Sequence, residues 1–177
     1  MSEVLDVVNE YDEVIGKKTR KEIHSDGSWH RGVHILLFNS NNELLLPVRS
    51  PKKDKFPGCY DVSVSEHVEP GEDYIEAAKR GLKEELNIEG VELKKLLKFR
   101  MNYGLGDNMI SELYEAEFDG KISFFDKEEI QEIKFYPLDE IKRMLKEEEN
   151  KFASWTKEIL KWYFGFPSNL EILEYSI

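Results

Sequence analysis

Cysteine is almost missing from this chain, as are several other features that would narrow its role. Cys59 stands alone among 177 residues, which excludes an internal disulfide framework and suits a reducing cytoplasm. Positive charge is in deficit: 25 Lys and Arg face 36 Asp and Glu, for a net charge of −11. Such a surface repels phosphate backbones and anionic lipid, so neither nucleic acid nor membrane is an expected partner. No apolar run approaches the roughly 20 residues that span a bilayer. The start, Met1-Ser-Glu-Val-Leu-Asp6, lacks the basic and apolar regions of a signal peptide. Repeats and low-complexity tracts are lacking too. What is left is a chain of one-domain length, 1–177, with material for an ample core.

Read in order, Val4 to Val8 is a short strand, followed by a turn at Asn9-Glu-Tyr-Asp12, and residues 1–30 form an N-terminal strand and extension. A basic segment, Lys17 to Lys21, leads to His24-Ser-Asp-Gly-Ser-Trp-His30. The Ser-Asp-Gly turn there can fold the two histidines towards each other. Gly32 to Phe38 and Glu43 to Val48 are strands joined by an Asn-rich hairpin turn. Tyr60 to Val64 reads as a further strand, Val91 to Tyr103 and Met109 to Phe118 as a pair joined by a turn at 104–108, and Glu132 to Tyr136 as the last. Two helices complete residues 137–177, one opened by Pro137 in its first turn and one over Ser154 to Phe164. Strands, one helix, strands and two helices predict an α+β sandwich, not an alternating βαβ sheet.

The informative stretch is 66–88. Pro70-Gly71 breaks the chain, and Glu72 and Asp73 bring negative charge to a helix start. Ile75, Ala78, Leu82 and Leu86 then recur at helical spacing. Gly81, Glu84 and Glu85 stand at i, i+3 and i+4, so they are expected on one patch of that helix. Adjacent carboxylates facing the same way need a counter-charge. A hard divalent cation, Mg²⁺ or Mn²⁺, supplies it through oxygen ligands. The basic loop Arg49, Lys52, Lys53, Lys55 is an island in an acidic chain and suits an anionic ligand.

This stretch resembles the Nudix box, G-x5-E-x7-R-E-U-x-E-E-x-G-U with U aliphatic. Glu72, Arg80, Leu82, Glu84, Glu85 and Ile88 fall on it in register, while Glu66, Gly81 and Asn87 depart from it. His30-Arg-Gly-Val-His34, Arg49 to Gly58, Asp61 to Ser65 and Glu129 to Ile141 read as further Nudix landmarks, of the branch nearest isopentenyl-diphosphate isomerase. The resemblance implies a mixed sheet between helices and metal-dependent cleavage of a diphosphate in a small molecule, a nucleoside diphosphate derivative or an isoprenoid diphosphate. The metal neutralises the diphosphate and activates the attacking water.

By the same resemblance Glu84 and Glu85 are catalytic metal ligands, and Glu72 with Arg80 braces loop against helix. Glu129 stands in the loop where many members keep a general base, and Glu128 and Glu112 compete with it for that role. Arg49 and Lys53 are expected on phosphate, and His30 and His67 are expected to be structural or substrate-facing and not metal ligands. Glu66 is expected to lie over Gly81 as a third metal ligand. The alternative is that Gly81 only admits a close backbone contact. Two further readings stay open. One is an isomerase, since His24, His30 and His67 fall on or beside that enzyme's metal-binding histidines. Against it, Ser65 stands where the isomerase has its catalytic cysteine, and Ile110 replaces one of its carboxylates. The other is a non-catalytic binding module, because Gly81 removes a common metal carboxylate. A homodimer is the assembly allowed for.

Overall fold

The computed structural model describes residues 2–104 and 106–176. Leu105, inside the expected turn at 104–108, lies outside them. The chain runs β1 (Val4–Val8), β2 (Val14–Thr19), α1 (Arg20–Asp26), β3 (Trp29–Phe38), β4 (Glu43–Arg49), β5 (Val64–His67), α2 (Tyr74–Leu86), β6 (Lys94–Asn102), β7 (Asn108–Glu117), β8 (Ile130–Pro137), α3 (Leu138–Glu147), α4 (Ser154–Tyr163) and β9 (Glu171–Tyr175). β1 and β2 form a hairpin of their own. The main sheet has the order β8-β4-β3-β7-β6-β9, with β5 also pairing with β3. Only β3 and β7 run parallel in it; the other pairs are antiparallel, so the sheet is mixed.

β3 is covered on both faces, and it therefore reads as a nearly continuous apolar run. Val33, Ile35 and Leu37 face Ala77, Ala78, Leu82 and Leu86 of α2. Leu36 and Phe38 face the other way, towards Ile141 and Leu145 of α3 and Trp155, Ile159 and Leu160 of α4. The result is the expected α+β architecture, one mixed sheet sandwiched between helices.

Several elements differ from the sequence expectation, among them β2, which is not one of the expected strands. The basic segment continues as α1, capped by Thr19 and Glu22 in a reciprocal capping box. The strand expected at Tyr60 to Val64 begins only at Val64, and Tyr60 makes isolated bridges to Val48 and Phe152. Pro137 ends β8 and is the N-cap of α3, one position before the first turn. The C-terminal region 137–177 is not all helix, because β9 adds to the sheet edge beside β6. Its Glu171 and Glu174 pair with Arg100 and Lys95, so this strand is held by backbone pairing and ion pairs.

Candidate active site

The helix α2 is fixed at both ends by its own sequence. Asp73 accepts from the Glu76 N–H while the Glu76 carboxylate reaches back to Asp73, a capping box. Asn87 closes the other end at φ 52, a left-handed position that asparagine tolerates in place of glycine. Between them Tyr74, Ala77, Ala78, Gly81, Leu82, Glu85 and Leu86 form the buried face. Glu85 is therefore carried inward with the apolar residues, at 6% exposure. Glu84, about 100° round the helix, is left outside. Its carboxylate is 56% exposed and accepts from Arg80 Nη1 at 3.3 Å. The expectation that Glu84 and Glu85 face one way is corrected: consecutive helix residues diverge, and only Glu85 points into the fold.

The partner of Glu85 is Glu66 on β5, and Gly81 is what lets them meet. A Cβ at Gly81 would stand 2.8 Å from Val64 Cγ1 and 2.9 Å from Glu66 Cγ. With glycine there, β5 lies directly on α2 and the Glu66 stem crosses over it. The carboxyl groups of Glu66 and Glu85 come close enough for each to perturb the other's ionisation. Burial pushes Glu85 well above the usual carboxylate range, and the charge of Glu66 pushes it further. Burial raises Glu66 as well, against the pull of Arg80, whose Nη1 lies 3.6 Å from Glu66 Oε2. Two acids in such contact cannot both ionise without a cation between them.

Arg80 ties the turn to the helix. Its Nε and Nη2 donate to the two Glu72 oxygens at 2.9 and 3.0 Å, and Nη2 also donates to the His67 carbonyl at 2.8 Å. This brace joins the loop at Glu72, the helix and the end of β5, and so sets the height of Glu66 above Gly81.

Beside the acid pair is an open cleft of about 200 Å³, lined by Arg20, His24, His34, Arg49, Lys53, Lys55, Ser65, Glu66, His67, Asp107 and Glu129 among others. Of the competing carboxylates, Glu129 alone lines it. Glu128 is on the surface with Lys52, and Glu112 is buried against Lys95 and Tyr114. The Glu129 carboxylate is paired with Lys53. Arg49 lines the cleft but is heavily engaged. Nη1 donates to Asp61 at 2.7 Å, Nε to the Lys55 carbonyl at 3.1 Å, and the guanidinium lies 4.9 Å from the Trp155 ring centre. Asp61 also accepts from Trp155 Nε1 and Thr156 Oγ1. The basic loop is thus wired to α4, which spacing in the sequence does not reveal.

The histidines converge as the Ser-Asp-Gly turn suggested. His24 and His30 rings lie 5.8 Å apart and His30 and His67 rings 5.2 Å apart. Of the two roles expected for His30, structural or substrate-facing, burial fits the first: the ring is fully buried, with its pKa pushed down to about 3 by burial and then by His67. Lys55 Nζ stands 3.2 Å from His24 Nδ1 and 2.9 Å from Asp107 Oδ2, so an ammonium already occupies that corner. His67 does line the cleft, hydrogen-bonded to Glu3 at 2.9 Å.

A family model described as the NUDIX domain matches residues 28–163. The chain belongs to the Nudix family. An uncharacterised Nudix hydrolase of Nostoc sp. is 37% identical over 148 residues, which is 82% of this chain and 88% of that protein. An isopentenyl-diphosphate Delta-isomerase 2 of Photorhabdus laumondii is 30% identical over 166 residues, 90% of this chain and 92% of that one. A Deinococcus radiodurans crystal structure matches with a TM-score of 0.75 at 30% identity, covering 92% of this chain and 98% of that one. With these relatives the chain is a Nudix hydrolase of the branch near the isomerases.

Nudix hydrolases use divalent metal ions, and the donors here suit one. Among the described residues no three His, Cys, Asp or Glu side chains stand ready around one point. A hard cation does not require that: Mg²⁺ is held by one or two carboxylates together with water and substrate phosphate. Glu66 and Glu85, with Glu129 close enough to raise both their pKa values, supply oxygen alone. Sequence reasoning missed Asp61, Asp107, Trp155 and the contact between His34 and Ser65, because each depends on residues distant in the chain.

Proposed function

We propose that the chain, as one domain over 1–177, is a Mg²⁺- or Mn²⁺-dependent hydrolase that cleaves a diphosphate linkage in a small polar molecule, a nucleoside diphosphate derivative. The carrying observation is the pairing of half-buried Glu66 with buried Glu85, allowed by Gly81 at the edge of a cleft bearing Arg49 and Lys53. When bound, the metal would neutralise the diphosphate and lower the pKa of the attacking water. Glu66 and Glu85 would hold it, while Glu84 only helps to fix Arg80. Glu72 and Arg80 keep β5 and α2 in register. Glu129 takes the proton of the water once phosphate oxygen draws Lys53 away from it. Arg49 and Lys53 receive the phosphates, and His67 stands at the rim of the site. His30 supports His67 from beneath. Among the described residues, Met109 and Trp155 are the only large apolar side chains lining the cleft, which favours a polar group over an isoprenoid tail. The lone Cys59 suits action in the cytoplasm, and no helix among the described residues is long and apolar enough to cross a membrane.

The isomerase reading gains from the converging histidines and loses on chemistry. Lys55 fills the histidine corner, and Ser65 offers a hydroxyl where carbon protonation needs a stronger acid. Phosphate release measured across nucleoside and isoprenoid diphosphates, with and without Mg²⁺ or Mn²⁺, tests the proposal. Metal-dependent release from a nucleoside diphosphate derivative is expected. Release from none of them, or detectable isomerisation of isopentenyl diphosphate, would overturn it.

A further inference from the structure

One polar contact in the cleft has no part in the metal site. His34 lies in the middle of β3, directly opposite Ser65 on β5 in the antiparallel register. Its ring is 1% exposed and stacks 6.0 Å from Phe99. Nδ1 is 3.0 Å from Ser65 Oγ, while Nε2 is buried without a hydrogen-bond partner among the described residues. Ser65 itself lines the cleft, one residue before Glu66, and makes no other hydrogen bond among the described side chains.

The geometry limits how the protons are arranged. Burial pushes the His34 pKa down to about 4, so near neutral pH the ring is uncharged and carries a single N–H. Were that proton on Nε2, a buried donor would have nothing among the described residues to accept it, a costly kind of unsatisfied group. With the proton on Nδ1, the ring donates to Ser65 Oγ and Nε2 keeps only an unused lone pair. In that tautomer the Ser65 oxygen is already an acceptor, and its own O–H is turned away from His34. The open side of Ser65 is the cleft. A neutral donor fixed in direction costs little reorganisation when an anionic oxygen arrives.

We infer that Ser65, next to Glu66 in the chain, donates a hydrogen bond to a phosphoryl oxygen of the substrate, and that His34 is the positioning residue that aims it. The inference rests on the cleft being the diphosphate site. It adds a recognition element outside the box and gives the imidazole within an apolar strand a task.

Two measurements decide it. The first is the His34 tautomer, read by long-range ¹⁵N–¹H correlation in the histidine-labelled protein. A proton on Nδ1 is expected; one on Nε2 would refute the aiming. The second is titration with methylenediphosphonate, a non-hydrolysable diphosphate, in Mg²⁺. Ser65→Ala should bind it roughly tenfold or more weakly, the effect of losing a hydrogen bond to a charged group. Ser65→Thr should recover most of the loss. His34→Leu should match Ser65→Ala, with the double variant no worse than either. If the wild type hydrolyses no diphosphate, the proposed activity fails while this titration still reads Ser65. Equal binding by Ser65→Ala and wild type, or no binding by the wild type, overturns the inference.

Discussion

Substituting Gly81 by alanine separates two accounts of why a glycine sits inside α2. On an exposed helix face Gly→Ala gains about 1 kcal/mol from helix propensity. Here the new Cβ would meet Val64 Cγ1 at 2.8 Å and Glu66 Cγ at 2.9 Å, closer than packed carbons approach. Val64 is fully buried and β-branched, so its side chain has little freedom to retreat. The Glu66 stem gives way more easily, but only by moving its carboxyl from Glu85. Overpacking of this kind costs about 1–3 kcal/mol. Set against the propensity gain, a net loss of up to about 2 kcal/mol is expected, or a Tm lower by up to about 8 °C for a chain of this size. Denaturant unfolding of Gly81→Ala, and of the same change in a Glu66→Ala background, measures it. Removing the Glu66 Cγ should relieve part of the cost, giving a coupling of about 0.5–1 kcal/mol. Metal affinity should fall in the single variant. A Gly81→Ala protein more stable than wild type, with metal affinity intact, would refute the reasoning.

Other expectations follow from the same contacts. Arg49→Ala leaves the buried Asp61 without its cation, so it should cost about 3–5 kcal/mol in unfolding experiments as well as raise KM. Glu129→Gln should lower kcat by about 10²–10⁴-fold if Glu129 is the base, while Glu112→Gln should disturb stability more than turnover; the reverse order would reassign the base. His30 and His34 are held neutral, with pKa values of about 3 and about 4, but take up protons near pH 6.5 once unfolded. The unfolded chain therefore binds more protons below pH 6.5, and the stability present above that pH should decline towards pH 4. A His34→Leu variant should show a shallower decline in a pH series of melts.

The box was legible because its parts are local. A turn, a capped amphipathic helix and the Glu72–Arg80 brace lie within one short stretch, so spacing alone carries them. The Glu66–Gly81 relation was legible as a paired exchange, though only packing shows the stem crossing the helix. Glu84 and Glu85 misled because adjacency in sequence is not adjacency on a helix. The α1 helix did have a signal, Thr19 followed three residues later by Glu22, the pattern of a capping box. β9 had none, since its side chains are mostly exposed and it joins the sheet by backbone pairing. The segment before Val64 is anchored through Asp61 to Trp155 and Thr156, residues more than ninety positions away. No local pattern encodes such a contact.

The central claim is that Glu66 and Glu85 together hold the divalent metal. Mn²⁺ binding followed by electron paramagnetic resonance, in wild type, Glu85→Gln and Glu66→Gln, tests it without reference to any substrate. Glu85→Gln also removes an acid that burial keeps from ionising, so this variant should fold at least as stably as wild type in metal-free buffer. The account predicts a bound-ion signal in the wild type that is lost or shifted to at least tenfold higher Mn²⁺ in both variants. Wild-type Mn²⁺ affinity in either variant would contradict it.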